Sequence, residues 1–115
     1  MCVIYEPDTR LLQALTQSSN LLSCLGNDIN RQIISVLSSV DTNGMRVPEI
    51  TKKTFLSRPS VTSHIKELQD AGIVRVLHQG TMNYYYLHIS DSSLQTMKEL
   101  FDSMEHYYHL QEEKE

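Results

Sequence analysis

Two histidines, His106 and His109, stand three residues apart near the end of the chain, with Glu112 and Glu113 beyond them. On a helix, an i, i+3 pair shares a face and can clip a metal ion, but a structural zinc site takes four ligands. His106 and His109 are therefore candidate metal ligands without the partners that would complete a site. No bound metal or other cofactor is expected. A histidine close to a helix C-terminus also suits the negative end of the helix dipole. Cys2 and Cys24 are too few for a disulfide framework. They are the candidates for a redox pair, although neither has the electropositive surroundings that activate a thiol. Cys24 equally suits the part of a small buried hydrophobe, and Cys2 that of an incidental terminal residue. No Ser/His/Asp or Cys/His constellation and no glycine-rich phosphate loop emerges, so an enzyme is not expected.

A different chemistry is written in SRPSVTSHIKELQDAG, residues 57–72. Val61, Ile65 and Leu68 fall at i, i+4 and i+7, the buried stripe of a helix. At 100° per residue, Pro59, Thr62, Ser63, Lys66 and Asp70 point the other way, with Arg58 and Ser60 at the N-terminal rim. An ordinary solvated helix face carries more Glu and Lys. Short hydroxyls let a helix sink into a DNA major groove and touch base edges, and an arginine pairs with the O6 and N7 atoms of guanine. Arg58, Ser60, Thr62 and Ser63 are the candidate groove residues. Lys52, Lys53 and Lys66 are candidate phosphate contacts, which position a protein without reading sequence. Pro59 has no N–H to donate and is left out. His64 lies nearer the core edge, where it would pack or cap.

The elements that must hold this helix follow from periodicity. A helical stretch is predicted from about residue 9 to 25, with Leu11, Leu12, Leu15, Leu22 and Leu25 apolar and Ser18, Ser19 and Asn20 interrupting them. Gly26-Asn27 stops it, and Asn27 or Asp28 caps a second helix to about Val40, whose Ile29, Ile33, Leu37 and Val40 share one face. The stretch DTNG, 41–44, is a turn. A short helix opens at Pro48, with Ile50 and Phe55 as candidates to pack inward. After a break at 55–57, Ser57 caps the helix above and Gly72 ends it. The expected helix-turn-helix is thus about 48–71. Residues from about 73 to 89 alternate and turn at Gln79-Gly80-Thr81-Met82, a two-stranded wing on which His78, Gln79, Thr81 and Asn83 are candidate DNA contacts. At least one of Tyr84, Tyr85 and Tyr86 should pack the wing onto the domain. Asp91 or Ser92 caps a last helix, about 91–111, in which Leu94, Met97, Phe101, Met104 and Tyr108 are spaced 3, 4, 3, 4. That is the seam of two helices packed side by side.

The whole is a mostly α chain with one small β-hairpin (α+β), ordered α-α-α-α-β-β-α, in a single winged-helix domain over 1–115. Net charge is −4, but it is unevenly spread. Residues 46–80 hold six cations and three carboxylates, a net +3, while residues 98–115 carry a net −4. Local potential, not the average, governs attraction to phosphate. No apolar run approaches the roughly 18 residues that span a membrane, and the N-terminus has no secretion signal, so a cytoplasmic protein is expected.

LSRPSVTSHIKELQDAGIVRVLHQGTMNYYYLHIS, Leu56 to Ser90, resembles the helix-turn-helix and wing of the ArsR/SmtB family of bacterial repressors. The family pattern runs L-S-x-P-x-V-S-x-H-L-x-x-L-x-x-A-G-L-V, then a Gly-turn hairpin and Y-Y-x-L. Thr62 replaces a Ser in it, and Ile65 and Ile73 each replace a Leu. The resemblance implies a homodimer built on the first and last helices, with Leu11, Leu15, Leu94, Met97, Phe101, Met104 and Tyr108 as the candidate interface. It implies repression of genes through double-stranded DNA, relieved by an inducer that the sequence does not identify. By position it places Arg58, Pro59, Thr62 and Ser63 at DNA. One family metal site needs a Cys-x-Cys pair where this chain has VPEITKKT. Another needs an Asp-x-His early in the last helix, which is absent here. A winged-helix module that binds proteins through its acidic face, without DNA, is the alternative.

Overall fold

A computed structural model describes residues 8–39 and 43–113 of the 115. Among the described residues there are six helices and one antiparallel hairpin: α1 Thr9–Gln17, α2 Ser19–Leu25, α3 Asp28–Ser38, α4 Val47–Thr54, α5 Arg58–Asp70, β1 Val74–Gln79, β2 Met82–Leu87 and α6 Asp91–Glu112. This is the expected mostly α winged helix-turn-helix, with one helix more than expected. The stretch 9–25 is two helices, not one. The break falls at Ser18, which is fully buried and donates its hydroxyl to the Ala14 carbonyl at 2.8 Å. Such back-bonding by serine competes with the helical ladder and bends the chain. Val40 and the first half of the 41–44 turn lie outside the described residues.

The capping residues explain the boundaries. Asp8 accepts from the Leu11 N–H at 3.0 Å, and Asn27 accepts from the Asn30 N–H at 3.0 Å. Ser57 accepts from the Ser60 N–H at 3.3 Å, as expected. The cap of α6 is Ser90, one residue before the two candidates: its backbone is extended and its Oγ accepts from the Ser93 N–H at 3.1 Å. Helix α5 ends in a Schellman motif, with Ile73 N–H bonded to Leu68 O and Gly72 N–H to Gln69 O. Gly72 takes φ +76° there, and a Cβ would meet the hydroxyls of Ser93 and Ser90 at 2.5 and 2.6 Å. Ser93 in turn donates to the Ala71 carbonyl at 2.7 Å, so the end of α5 is tied to the start of α6.

The core gathers around α5. Val61, Ile65 and Leu68 are buried against Leu21, Cys24, Ile33, Leu37, Met45, Ile50, Ile73 and Val74. Full burial of each such aliphatic side chain stabilises the fold by about 1.5–3 kcal/mol. Ile50 is buried as expected, but Phe55 is not: it is 93% exposed. Phe55 ends α4 in the left-handed region, φ 60°, which swings its side chain off the α4 core face. A non-glycine residue in that conformation costs about 1–2 kcal/mol.

Strands β1 and β2 pair from Val74↔Leu87 to Gln79↔Met82, around a turn at Gly80 and Thr81. Tyr85 is the tyrosine that docks the wing. Its backbone exchanges two 2.8 Å hydrogen bonds with Met45, an isolated antiparallel bridge on the outer edge of β2, and its side chain packs on the core. Gly44 makes this approach feasible, since a Cβ there would sit 2.7 Å from the Tyr85 carbonyl oxygen. At the far side, α1 lies along α6, burying Ala14 on one helix and Leu100 and Ser103 on the other. No helix among the described residues is long and apolar enough to cross a membrane.

Candidate nucleic-acid interface

Helix α5 is amphipathic in the sense that groove insertion needs. Its aliphatic stripe is buried, and Arg58, Pro59, Thr62, Ser63 and Lys66 are exposed on the other side. Ser60 is only half-buried, in the first turn, and stands between the two faces. Lys52 and Lys53 are exposed on the last turn of α4.

A shallow cleft joins this helix to the wing. Its walls are Arg46, Val47 and Pro48 at the start of α4, Arg58 at the start of α5, and Thr81, Met82 and Asn83 at the wing tip, with Tyr85 behind. Two arginines thus line one depression, a setting for an anion. Arg46 is the residue that inspection of the sequence left without a role, although it entered the basic balance of 46–80. Its signal was its place directly before Val47-Pro48, because a residue preceding a proline-opened helix flanks that helix's positive end.

On the wing, His78, Gln79, Thr81 and Asn83 are all exposed. His78 and Asn83 face one another in register, with Nδ1 and Oδ1 2.6 Å apart. They rigidify the wing tip as a pair, while Gln79 and Thr81 project from its end.

Behind the exposed face, a polar knot fastens α5 to α3 and α2. Asn30 is fully buried. Its Nδ2 donates to the Cys24 carbonyl at 3.0 Å and to Glu67 Oε2 at 3.2 Å, and its Oδ1 is 2.8 Å from His64 Nδ1. His64 therefore packs at the core edge, as expected. It also lies 3.5 Å from Glu67, one turn on. Cys24 is buried in the same place, its thiol 4.0 Å from the Glu67 carbonyl. Burial, and secondarily the Glu67 carboxylate, push this thiol's pKa up. A raised pKa leaves little thiolate at neutral pH, which disfavours redox chemistry. Cys2, its candidate partner, lies outside the described residues.

The last helix leaves His106 and His109 exposed. His109 approaches Glu105 at 3.7 Å and stacks edge-on against Tyr108. Among the described residues, no group of three or more His, Cys, Asp or Glu side chains is placed to hold a metal. The seam residues Leu94, Phe101, Met104 and Tyr108 are 47–58% exposed, and Leu15 on α1 is 42% exposed. Leu11 and Met97 are half-buried, Met97 against the core.

Residues 27–81 match the model of the MarR family. A helix-turn-helix-type transcriptional regulator of Methanocaldococcus jannaschii is 24% identical over 93 residues, which cover 81% of this chain and all of that protein. The crystal structure of NolR from Sinorhizobium fredii superposes with a TM-score of 0.64 at 20% identity, over 86% of this chain and 95% of that one. A homodimeric winged helix-turn-helix DNA-binding domain from Mycobacterium bovis, a possible ArsR-family regulator, superposes with a TM-score of 0.60 at 19% identity, over 81% and 82%. At these identities the structural likeness speaks to the fold. The matches are drawn from both the MarR and the ArsR groups, and the M. jannaschii and M. bovis proteins are described as transcriptional regulators, the latter as a possible one. Fold and matches together give the chain a winged-helix fold similar to that of transcriptional regulators in both groups.

Proposed function

We propose that this chain, as one winged-helix domain, is a homodimeric, sequence-specific DNA-binding repressor of the ArsR type, acting in the cytoplasm and released by an inducer. The observation that carries this is the two-sided α5: Val61, Ile65 and Leu68 buried, Arg58, Thr62, Ser63 and Lys66 exposed. Arg58, Ser60, Thr62 and Ser63 read base edges in the major groove. Lys52, Lys53, Lys66 and Arg46 hold phosphates, and Gln79 and Thr81, steadied by His78 and Asn83, reach the flanking backbone or minor groove.

The dimer reading is supported by the open apolar face of α1 and α6. Among the described residues, no surface covers Leu15, Leu94, Phe101, Met104 and Tyr108, which stay 42–58% exposed. A contiguous exposed apolar patch marks an interaction site. The M. bovis neighbour is homodimeric, which fits a second copy of this chain as the occupant. Two copies would then present two α5 helices to successive major grooves.

The test is selection of duplexes from a random library at about 100 mM salt, followed by titration of the recovered site. A preferred, roughly palindromic site is expected, with affinity falling steeply as salt rises. Arg58→Ala should relax specificity at one position, whereas Lys52→Ala should weaken all duplexes alike. Recovery of no preferred site, together with protein capture that survives high salt, would favour the protein-interaction module instead.

A further inference from the structure

Phe55 is 93% exposed at the turn of the helix-turn-helix, in a left-handed conformation, φ 60° and ψ 18°. Such a turn position is adopted most easily by glycine, or by asparagine. The chain instead carries a large aromatic side chain there, and almost none of it is covered by the rest of the fold. Phe55 therefore adds backbone strain and returns almost no packing. Strained residues persist where the site has a use beyond folding.

The surroundings of Phe55 define what can cover it. Lys52 and Lys53 precede it and Arg58 follows it, all three exposed. Between Glu49 and Glu67 the sequence has four cations, these three and Lys66, and no carboxylate. An apolar ring framed by cations complements a surface that alternates apolar sugar with anionic phosphate. A second protein's hydrophobic patch would leave the three cations facing uncharged surface. A second copy of this chain offers its carboxylates on α6, which lies at the opposite end from the turn in sequence and packs on α1.

We propose that Phe55 is a DNA-contact residue, packing its ring on the deoxyribose of the backbone strand that Lys52 and Lys53 grip. This rests on the DNA-binding reading above. The contact is apolar and carries no base information, so it strengthens binding to every duplex alike. Because no phosphate is neutralised by the ring, it releases no counterion.

The test is fluorescence anisotropy of the full chain on its selected duplex and on a scrambled one, over a range of salt. Phe55→Asn keeps a residue that tolerates the turn. It should lower affinity about fivefold on both duplexes, the loss expected when a few tens of Å² of apolar surface go uncovered. The slope of affinity against salt should stay as in the unmodified chain, whereas Lys52→Ala should reduce it by about one counterion. The thermal midpoint of Phe55→Asn should be equal or higher. Unchanged affinity would overturn the proposal while leaving DNA binding intact. A lower midpoint would show that the ring packs inside the fold, and a weakened dimer would show that a second copy covers it; either overturns it. Failure of the unmodified chain to bind any duplex would remove the DNA-binding reading and this contact together.

Discussion

The two ends of the molecule solve their packing differently. Around α5, apolar side chains from α2, α3, α4 and β1 close on one another, and Ile33, Ile50, Val61 and Leu68 lose all contact with solvent. Along α6, the chain buries Leu100 and Ser103 against α1 but leaves the neighbouring seam of Leu94, Phe101, Met104 and Tyr108 largely exposed. Ser103 and Ala14 are small, so α1 and α6 approach closely on one face while the larger side chains project from the other. The first region is complete within one chain. The second has an apolar surface that no other described residue covers. Helix α5 is thus fixed by packing inside the chain, while on the proposed reading the spacing between two copies of it would be left to assembly.

The largest effect should come from emptying the closed region. Leu68→Ala removes a fully buried side chain from the middle of the α5 stripe. Unfolding stability should fall by about 2–5 kcal/mol, because the cavity collapses only partly. Denaturant midpoints followed by circular dichroism would show it. The loss should not depend on protein concentration. If it did, the core around α5 would itself be shared between copies.

Next in size is the polar knot. Asn30→Ala removes the donor to the Cys24 carbonyl and to Glu67, and the partner of His64. Losing the partner of a buried polar group costs about 1–3 kcal/mol. Glu67 is half exposed and finds water, so the Cys24 carbonyl accounts for most of the loss. Because His64 and Glu67 both belong to α5, the same substitution should loosen the reading helix. Amide exchange in α5 should rise more than in α6.

These two regions were not equally legible from the sequence. The stripe Val61, Ile65, Leu68, the caps Asn27 and Ser57, the Gly72 stop and the Gly80 turn are local signals, and the structure has them where the pattern put them. Two features on the same stretches escaped it. The break at Ser18 depends on one hydroxyl choosing the Ala14 carbonyl, which composition does not reveal. The outward turn of Phe55 depends on a left-handed backbone at a residue that ordinarily avoids it. Long-range pairings were out of reach altogether: the Met45–Tyr85 rung, the Asn30 knot and the arrival of Arg46 in a cleft with Arg58 and the wing all join residues far apart in sequence. The 3, 4, 3, 4 spacing of α6 was visible, but not that α1 would take up the adjacent face and leave the seam open.

The open region is sharpened by Phe101→Ala. Within one chain Phe101 is 58% exposed, so the protomer's own stability should change by less than about 0.5 kcal/mol, the usual range for a surface substitution. The dimer should respond far more, because an aromatic at the centre of an apolar interface is where binding energy concentrates. Analytical ultracentrifugation should show dissociation at concentrations where the unmodified chain stays paired. DNA affinity should fall with it. A chain already monomeric without the substitution would mean that the two regions do not divide the work in this way.

The smallest effect lies at the edge of the closed region, where Cys24 of α2 meets Glu67 of α5. Burial first, and the Glu67 carboxylate second, hold the Cys24 pKa above its ordinary value in the folded chain. A group whose folded pKa is raised contributes stability that is fully present below its unfolded pKa, about 8.5 for a thiol. That contribution is lost as pH climbs from there through the folded pKa, since the unfolded chain sheds the proton first. Stability should therefore be flat near neutral pH on this account and decline above about pH 8.5. In a Cys2→Ser background, replacing Cys24 by Ser as well should remove that decline, because serine does not titrate there. Denaturant midpoints measured at several pH values on the two variants isolate the thiol from the tyrosines, which both retain. The same protonated, covered thiol should react slowly with a soluble alkylating reagent at neutral pH. Fast alkylation of the folded Cys2→Ser chain would mean that α2 opens from α5 readily, and that the closed region is less closed than its core.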